Sequence, residues 1–78
     1  MKEIKRSIKK FLEEKTGHRI RDAGEDVIDR GIVDSFTMLE LLAFIEKEFG
    51  VEARMEDVTR KNFNSLKAMA EQIALWKK

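Results

Sequence analysis

The segment that most constrains the fold runs from Gly31 to Gly50, because its centre, residues 35–49, is the most apolar helical stretch of the chain. On a helical wheel its large apolar side chains cover a wide arc, so other elements must cover most of the helix. Asp34 and Ser35 both carry oxygens that cap first-turn N–H groups, and Gly50 suits a left-handed C-cap. The sequence therefore predicts a largely buried helix whose first turn presents a serine, either as a cap or as an attachment point.

Two amphipathic helices are predicted to flank this segment, one over residues 3–15 and one over about 65–77. The first has a narrow apolar stripe opposite a face of Lys and Arg side chains. A stripe this narrow favours packing in a bundle over lying on a membrane. Trp76, near the end of the last helix, is expected to close the edge of the core.

A long connection, residues 16–33, separates the first helix from the central one. It has too many apolar residues for a freely solvated linker. Loops of this length usually pack against the rest of the domain or form part of a functional site. We expect a short helical turn near residues 25–29, and we expect these side chains to enter the core: Ile20, Val27, Ile28 and Ile32.

The region after Gly50 is less regular. A short third helix is predicted from Met55 to Lys61, with Met55 and Val58 turned inward. A break follows, and Asn64 or Ser65 is expected to cap the last helix.

Together these elements predict an all-α fold: a small antiparallel four-helix bundle with a short third helix and a long connection after the first. The whole chain, residues 1–78, is expected to form one domain and to be a monomer.

Composition argues against several classes of function. The chain has no cysteine and a single histidine, His18, so no metal site is expected. No apolar run approaches the roughly 20 residues that span a bilayer, so we expect a cytoplasmic protein without a membrane partner. The net charge is +1, and residues 31–62 carry 4 basic and 7 acidic side chains. A nucleic-acid partner is therefore not expected, because such binders concentrate positive charge.

Enzymatic activity is not expected either. Serine catalysis needs a base and an oxyanion hole beside the nucleophile, and neither a G-x-S-x-G elbow nor a glycine-rich phosphate loop is present. Covalent attachment fits Ser35 better, because a phosphodiester is favoured where helix N–H groups and the helix dipole point. The adjacent Asp34 is placed to help hold Mg²⁺ during a phosphate transfer. From the residues alone, a simple N-cap remains the alternative.

The register of the central segment resembles the acyl carrier protein family. Residues 31–36 read Gly-Ile-Val-Asp-Ser-Phe and lead into the apolar helix that ends at Gly50-Val51. The similarity covers about residues 25–75 and continues through Glu56-Asp57-Val58-Thr59 and Asn62-Phe63-Asn64-Ser65-Leu66.

The resemblance implies that Ser35 carries 4′-phosphopantetheine, a covalent cofactor whose thiol holds an acyl or aminoacyl group as a thioester. Asp34 matches the aspartate of the family motif, and Phe36 and Leu39 match apolar positions beside the arm. The chain would then be a non-catalytic, free-standing carrier in fatty acid, polyketide or specialised-metabolite biosynthesis. The alternative is an unmodified interaction module in which Ser35 is only an N-cap.

The implied partners are a phosphopantetheinyl transferase, an acyl-activating ligase or adenylation enzyme, and an acyltransferase or ketosynthase. Many fatty-acid carriers have an acid where this chain has Thr37, and many are more acidic overall. Six residues are expected to contact partners, and most of them lie on a stripe of the central helix that the bundle leaves open. They are Thr37, Glu40, Phe44, Glu48, Glu56 and Asp57.

Overall fold

The computed structural model describes residues 2–77, which form four α-helices and one 3-10 turn and contain no strand. The helices are α1 (Lys2–Thr16), α2 (Ser35–Phe49), α3 (Arg60–Phe63) and α4 (Leu66–Trp76), and the 3-10 turn spans Met55–Asp57. The predicted all-helical class is confirmed. Within residues 2–77, no helix combines the length and the apolarity needed to cross a membrane.

Helix α2 begins and ends where the sequence predicts. Gly50 adopts the left-handed conformation at φ 65°, and its N–H donates to the carbonyl of Glu46 at 3.0 Å. A residue with a Cβ is strained in this conformation, so glycine is favoured at this C-cap.

The core lies where α1 and α4 pack together, with α2 packed against α1 and α3 against α4. Each long helix contributes one apolar face, as its spacing of large side chains requires. The large apolar side chains that the three long helices bury are Ile8 and Leu12 from α1, Leu41, Leu42 and Ile45 from α2, and Leu66, Met69 and Ile73 from α4.

The connection between α1 and α2 packs down as predicted, although it contains turns and no helix near residues 25–29. Its apolar residues enter the core: Ile20, Val27, Ile32 and Val33 are buried, and Ile28 is partly buried. Two backbone hydrogen bonds hold it to the other end of the chain, from Val27 N–H to the Asn64 carbonyl at 2.8 Å and from Lys67 N–H to the Ala23 carbonyl at 2.9 Å.

The short third helix differs from its prediction. The stretch from Met55 to Lys61 divides into the 3-10 turn and the start of α3, and Met55 is 63% exposed, so its inward placement is wrong. Phe63, predicted to lie in a break, ends α3 and is fully buried instead. The larger aromatic ring buries more apolar surface than Met55 would, which favours this arrangement.

The junction between α3 and α4 resolves the choice of cap. The Ser65 hydroxyl accepts a hydrogen bond from the Ala68 N–H at 3.1 Å, so Ser65, and not Asn64, is the N-cap of α4. Trp76 lies at the edge of the core as expected, with its ring 5.7 Å from that of Phe63. Its indole N–H donates to Asp57 Oδ2 at 2.9 Å and ties the end of α4 to the 3-10 turn.

Candidate functional site

The start of α2 is capped by Asp34 and not by Ser35. Asp34 has extended backbone angles, and its Oδ1 accepts the N–H of Thr37 at 2.8 Å. That hydrogen bond, with a smaller contribution from the Thr37 hydroxyl, holds the pKa of the Asp34 carboxyl below its ordinary value. Asp34 therefore satisfies the first turn as an anion, and the alternative in which Ser35 serves as the N-cap is wrong.

Ser35 is the first residue of α2 and has no structural partner of its own. Its side chain is exposed, and its hydroxyl makes no hydrogen bond to any residue in the range 2–77. A hydroxyl in this position is open to another protein and lies at the positive end of the helix dipole. The geometry suits a group that acquires a negatively charged substituent.

An open cleft of about 240 Å³ lies directly beside Ser35. Its walls come from three separate parts of the chain: the end of the α1–α2 connection, the first turn of α2 and the segment leading into α3. The residues that line it are Ile28, Val33, Asp34, Ser35, Met38, Val58, Thr59 and Arg60.

The chemistry of these walls fits a substituent with a charged head and a less polar tail. Four of the eight lining side chains are apolar, and Arg60 supplies a cation at the entrance to α3. Arg60 is also paired with Asp29 of the connection, which joins two walls of the cleft. A phosphate ester on Ser35 would meet the first-turn N–H groups of α2, and an attached chain would have an apolar surface to follow.

The open surface of α2 differs from the predicted stripe. Thr37, Glu40 and Phe44 are each partly covered, whereas Phe36 and Leu39 are 70% and 61% exposed. The helix is thus rotated, relative to the expected placement, so that two large apolar side chains face solvent next to Ser35. Exposed side chains of this size near a reactive group indicate a contact surface.

Phe44 belongs to the packing between α1 and α2. Its ring stacks on that of Phe11 with the centroids 4.4 Å apart, and it meets the edge of Phe49 at 6.3 Å. These contacts support packing of Phe44 under a neighbouring helix, which is the alternative to its predicted contact with partners.

Most of the acidic residues predicted to meet partners have contacts within the chain. Glu40 pairs with Lys15 at 2.8 Å, and Glu56 pairs with Arg54 at 3.3 Å. Asp57 holds the Trp76 indole. Glu48 is exposed and forms no ion pair in the described part of the chain. Among these acids, Glu40 lines a second cleft at the start of α2, together with Asp34, Phe36 and Thr37.

Comparison with known families matches residues 2–73 to the family described as "Phosphopantetheine attachment site". The match covers most of the chain. The chain belongs to this family. It is therefore a non-catalytic carrier with a covalently attached 4′-phosphopantetheine, consistent with the resemblance to acyl carrier proteins. Among curated proteins, none matches the sequence.

Several residues of this phosphopantetheine carrier that line the cleft were not predicted as part of the site. Val58, Thr59 and Arg60 come from a segment more than 20 residues beyond Ser35, Ile28 was expected only in the core, and Val33 was assigned to neither the core nor the site. No local pattern marks them, because they meet only through the packing of the connection and the α3 segment against α2. The signal that comes nearest is the similarity of Glu56-Asp57-Val58-Thr59 to the carrier family.

The cap of the carrier's central helix predicts a dependence of stability on pH. Because the pKa of Asp34 is lower in the folded than in the unfolded state, its anion stabilises the fold above about pH 4. This stabilisation is lost as the pH falls through the folded-state pKa. In Asp34→Asn, which keeps a cap acceptor but cannot titrate, the stability deficit relative to the wild type should shrink below about pH 4.

Urea unfolding at a series of pH values measures this difference. Asp34→Ala, which lacks the acceptor altogether, should be less stable than Asp34→Asn at neutral pH. A deficit of Asp34→Asn that stays constant from neutral to acid pH would contradict the role of the Asp34 charge.

Proposed function

We propose that Ser35 is the residue that carries the phosphopantetheine and that the chain shuttles acyl or aminoacyl groups between enzymes. The observation that supports this most directly is the free hydroxyl of Ser35. Its neighbour Asp34 supplies the helix cap, so the structure needs nothing from the serine. When bound, the arm supplies a terminal thiol that holds the cargo as a thioester.

Attachment would form an ester bond between the Ser35 hydroxyl oxygen and phosphorus. In the same step the bond between that phosphorus and the bridging oxygen of the coenzyme A diphosphate breaks, adenosine 3′,5′-bisphosphate leaves, and the hydroxyl proton passes to a base of the transferase. Asp34 lies beside this oxygen, and one of its carboxylate oxygens accepts the Thr37 N–H. The Asp34 carboxylate would help to hold the Mg²⁺ that the transfer uses, and that ion would offset the negative charge of the phosphate.

The surface around Ser35 would serve the arm and its partners. Phe36 and Leu39 offer exposed apolar area beside the arm, and Glu48 supplies an exposed charge at the other end of the same helix. Such a combination favours docking of a partner with a complementary apolar and basic surface. Thr37, Glu40, Glu56 and Asp57 would contribute at its margin, and Phe44 would hold the helix in place from behind.

The partners proposed are a phosphopantetheinyl transferase, an acyl-activating ligase or adenylation enzyme, and an acyltransferase or ketosynthase. The pathway would be fatty acid, polyketide or specialised-metabolite biosynthesis. We further propose that the chain acts in the cytoplasm as a monomeric single domain, with its helices arranged as an antiparallel bundle. The short connections on either side of α3 are compatible with that arrangement.

A second candidate is a carrier-like module that works only by protein contact. The observation that favours it is the adjacent exposure of Phe36 and Leu39, which would bind a partner without any arm. This candidate predicts that function in the host pathway survives loss of the Ser35 hydroxyl.

Loading of the wild-type protein tests the proposal. Incubation with coenzyme A, Mg²⁺ and a broad-specificity transferase should add the mass of one phosphopantetheine. Fragmentation of the product should place that mass on Ser35 and on neither of the other two serines, Ser7 and Ser65. Addition at another residue, or no addition, would contradict the assignment of Ser35.

A further inference from the structure

A second surface of the molecule carries a concentration of positive charge that the carrier function does not use. Two adjoining clefts, of about 250 and 460 Å³, share Lys9 and Ile20 in their walls. One follows the first half of α1, and the other runs along the start of the α1–α2 connection. Seven basic residues line them, and one of these, Arg30, is paired with Glu25. The other six, here called the basic face, are Lys2, Lys5, Arg6, Lys9, Arg19 and Arg21.

The charges of the basic face are not neutralised by ion pairs. The ion pairs within residues 2–77 involve Lys15, Arg30, Arg54 and Arg60, and none involves the basic face. Asp22 is the one acidic residue that lines the two clefts, so the six cations outnumber the acidic charge there and raise the local positive potential. An anionic partner would offset that potential.

Three carboxylates close to the basic face along the chain are hydrogen-bonded to backbone N–H groups. Glu13 accepts the N–H of Ile20 at 2.8 Å, and Asp22 accepts the N–H of Gly24 at 2.8 Å. Glu25 accepts the N–H of Arg21 at 2.7 Å. These hydrogen bonds hold the start of the α1–α2 connection, and within residues 2–77 none of the three carboxylates forms an ion pair with the basic face.

The basic face is separate from the attachment site. No residue that lines its two clefts also lines the cleft beside Ser35. A partner bound to the basic face would therefore leave the start of α2 open. This allows a carrier to be held at one surface while its other surface is used.

We propose that the basic face docks an acidic protein surface. The two clefts are concave and accept protruding carboxylate side chains, and complementary charge accelerates and orients protein association. An anionic membrane fits less well, because the large exposed apolar side chains, Phe36, Leu39, Met55 and Leu75, line neither cleft, so none is available to insert. A nucleic acid fits less well because the whole chain has a net charge of only +1.

Two charge-reversal variants test this proposal. The face variant combines Lys5→Glu, Arg6→Glu and Lys9→Glu, and the control combines Lys47→Glu, Lys61→Glu and Lys77→Glu, three exposed lysines outside the two clefts. Both change the net charge equally, so only the position of the charge differs. Acidic residues in the first half of α1 suit the helix dipole, and circular dichroism checks that both variants fold.

Binding is measured by fluorescence anisotropy with a labelled oligoglutamate peptide. We expect the face variant to bind the peptide at least about tenfold more weakly than the wild type, and the control to stay within about twofold. Equal weakening of both variants would overturn the proposal, since net charge alone would then explain it. Binding by the face variant as tight as that of the wild type would also overturn it.

Duplex DNA and phosphatidylcholine–phosphatidylglycerol vesicles are the competing probes. Tighter binding of the wild type to either than to the peptide would overturn the assignment to a protein partner. The measurement needs no arm on Ser35. Its failure would therefore leave the proposed attachment at Ser35 untouched, and a failure of loading would leave the basic face untouched.

Discussion

Replacement of Ser35 by alanine is expected to abolish phosphopantetheine loading and to leave the stability of the fold nearly unchanged. The hydroxyl makes no hydrogen bond within residues 2–77, and Asp34 caps the helix in its place. Alanine is also the best helix former at the first helical position. The free energy of unfolding should therefore change by no more than about 0.5 kcal/mol, while the mass added by the transferase should disappear completely.

Ser65→Ala is the matched control, because it removes a serine hydroxyl with the opposite role. Ser65 is mostly buried and caps α4 through the Ala68 N–H. Its loss should lower the free energy of unfolding by about 1 kcal/mol and leave loading intact. Denaturant unfolding and mass spectrometry on the two variants together separate a structural serine from an attachment serine. Continued addition of phosphopantetheine to Ser35→Ala would contradict the proposal.

The central helix could be predicted from the sequence almost to the residue, because its signals are local and strong. An apolar period, a cap pair and a terminal glycine all agree on residues 35–49. The choice between Asp34 and Ser35 as cap was not determined, since both residue types cap well. In the structure the helix starts one residue after Asp34, so Asp34 is the N-cap and the Ser35 hydroxyl is not used for capping.

The exposed face of α2 could not be predicted, because a helical wheel gives relative angles and does not show which arc the neighbours cover. The neighbours cover Phe44 and leave Phe36 and Leu39 open. The wall formed by Val58 to Arg60 was missed for a related reason. It depends on long-range packing, which leaves no periodic trace in so short a segment.

The sequence-based prediction and the structure differ most at Phe63. Its replacement by alanine is expected to have the largest effect on the free energy of unfolding. The side chain is fully buried at the end of a four-residue helix and contacts the Trp76 ring. Removing a buried Phe ring costs about 3–5 kcal/mol. A domain of 78 residues has roughly 4–12 kcal/mol of stability in total, so Phe63→Ala should remove at least about a quarter of it.

Phe36→Ala is the control for this change, because it removes the same side chain from an exposed position and should alter the free energy of unfolding by no more than about 0.5 kcal/mol. Urea unfolding of both variants, followed by circular dichroism, makes the comparison. A loss below about 1 kcal/mol in Phe63→Ala would contradict the burial of this ring. The expected loss has a functional consequence, because the segment that Phe63 anchors also supplies Val58, Thr59 and Arg60 to the cleft. The wall beside Ser35 thus depends on a core residue outside the attachment motif.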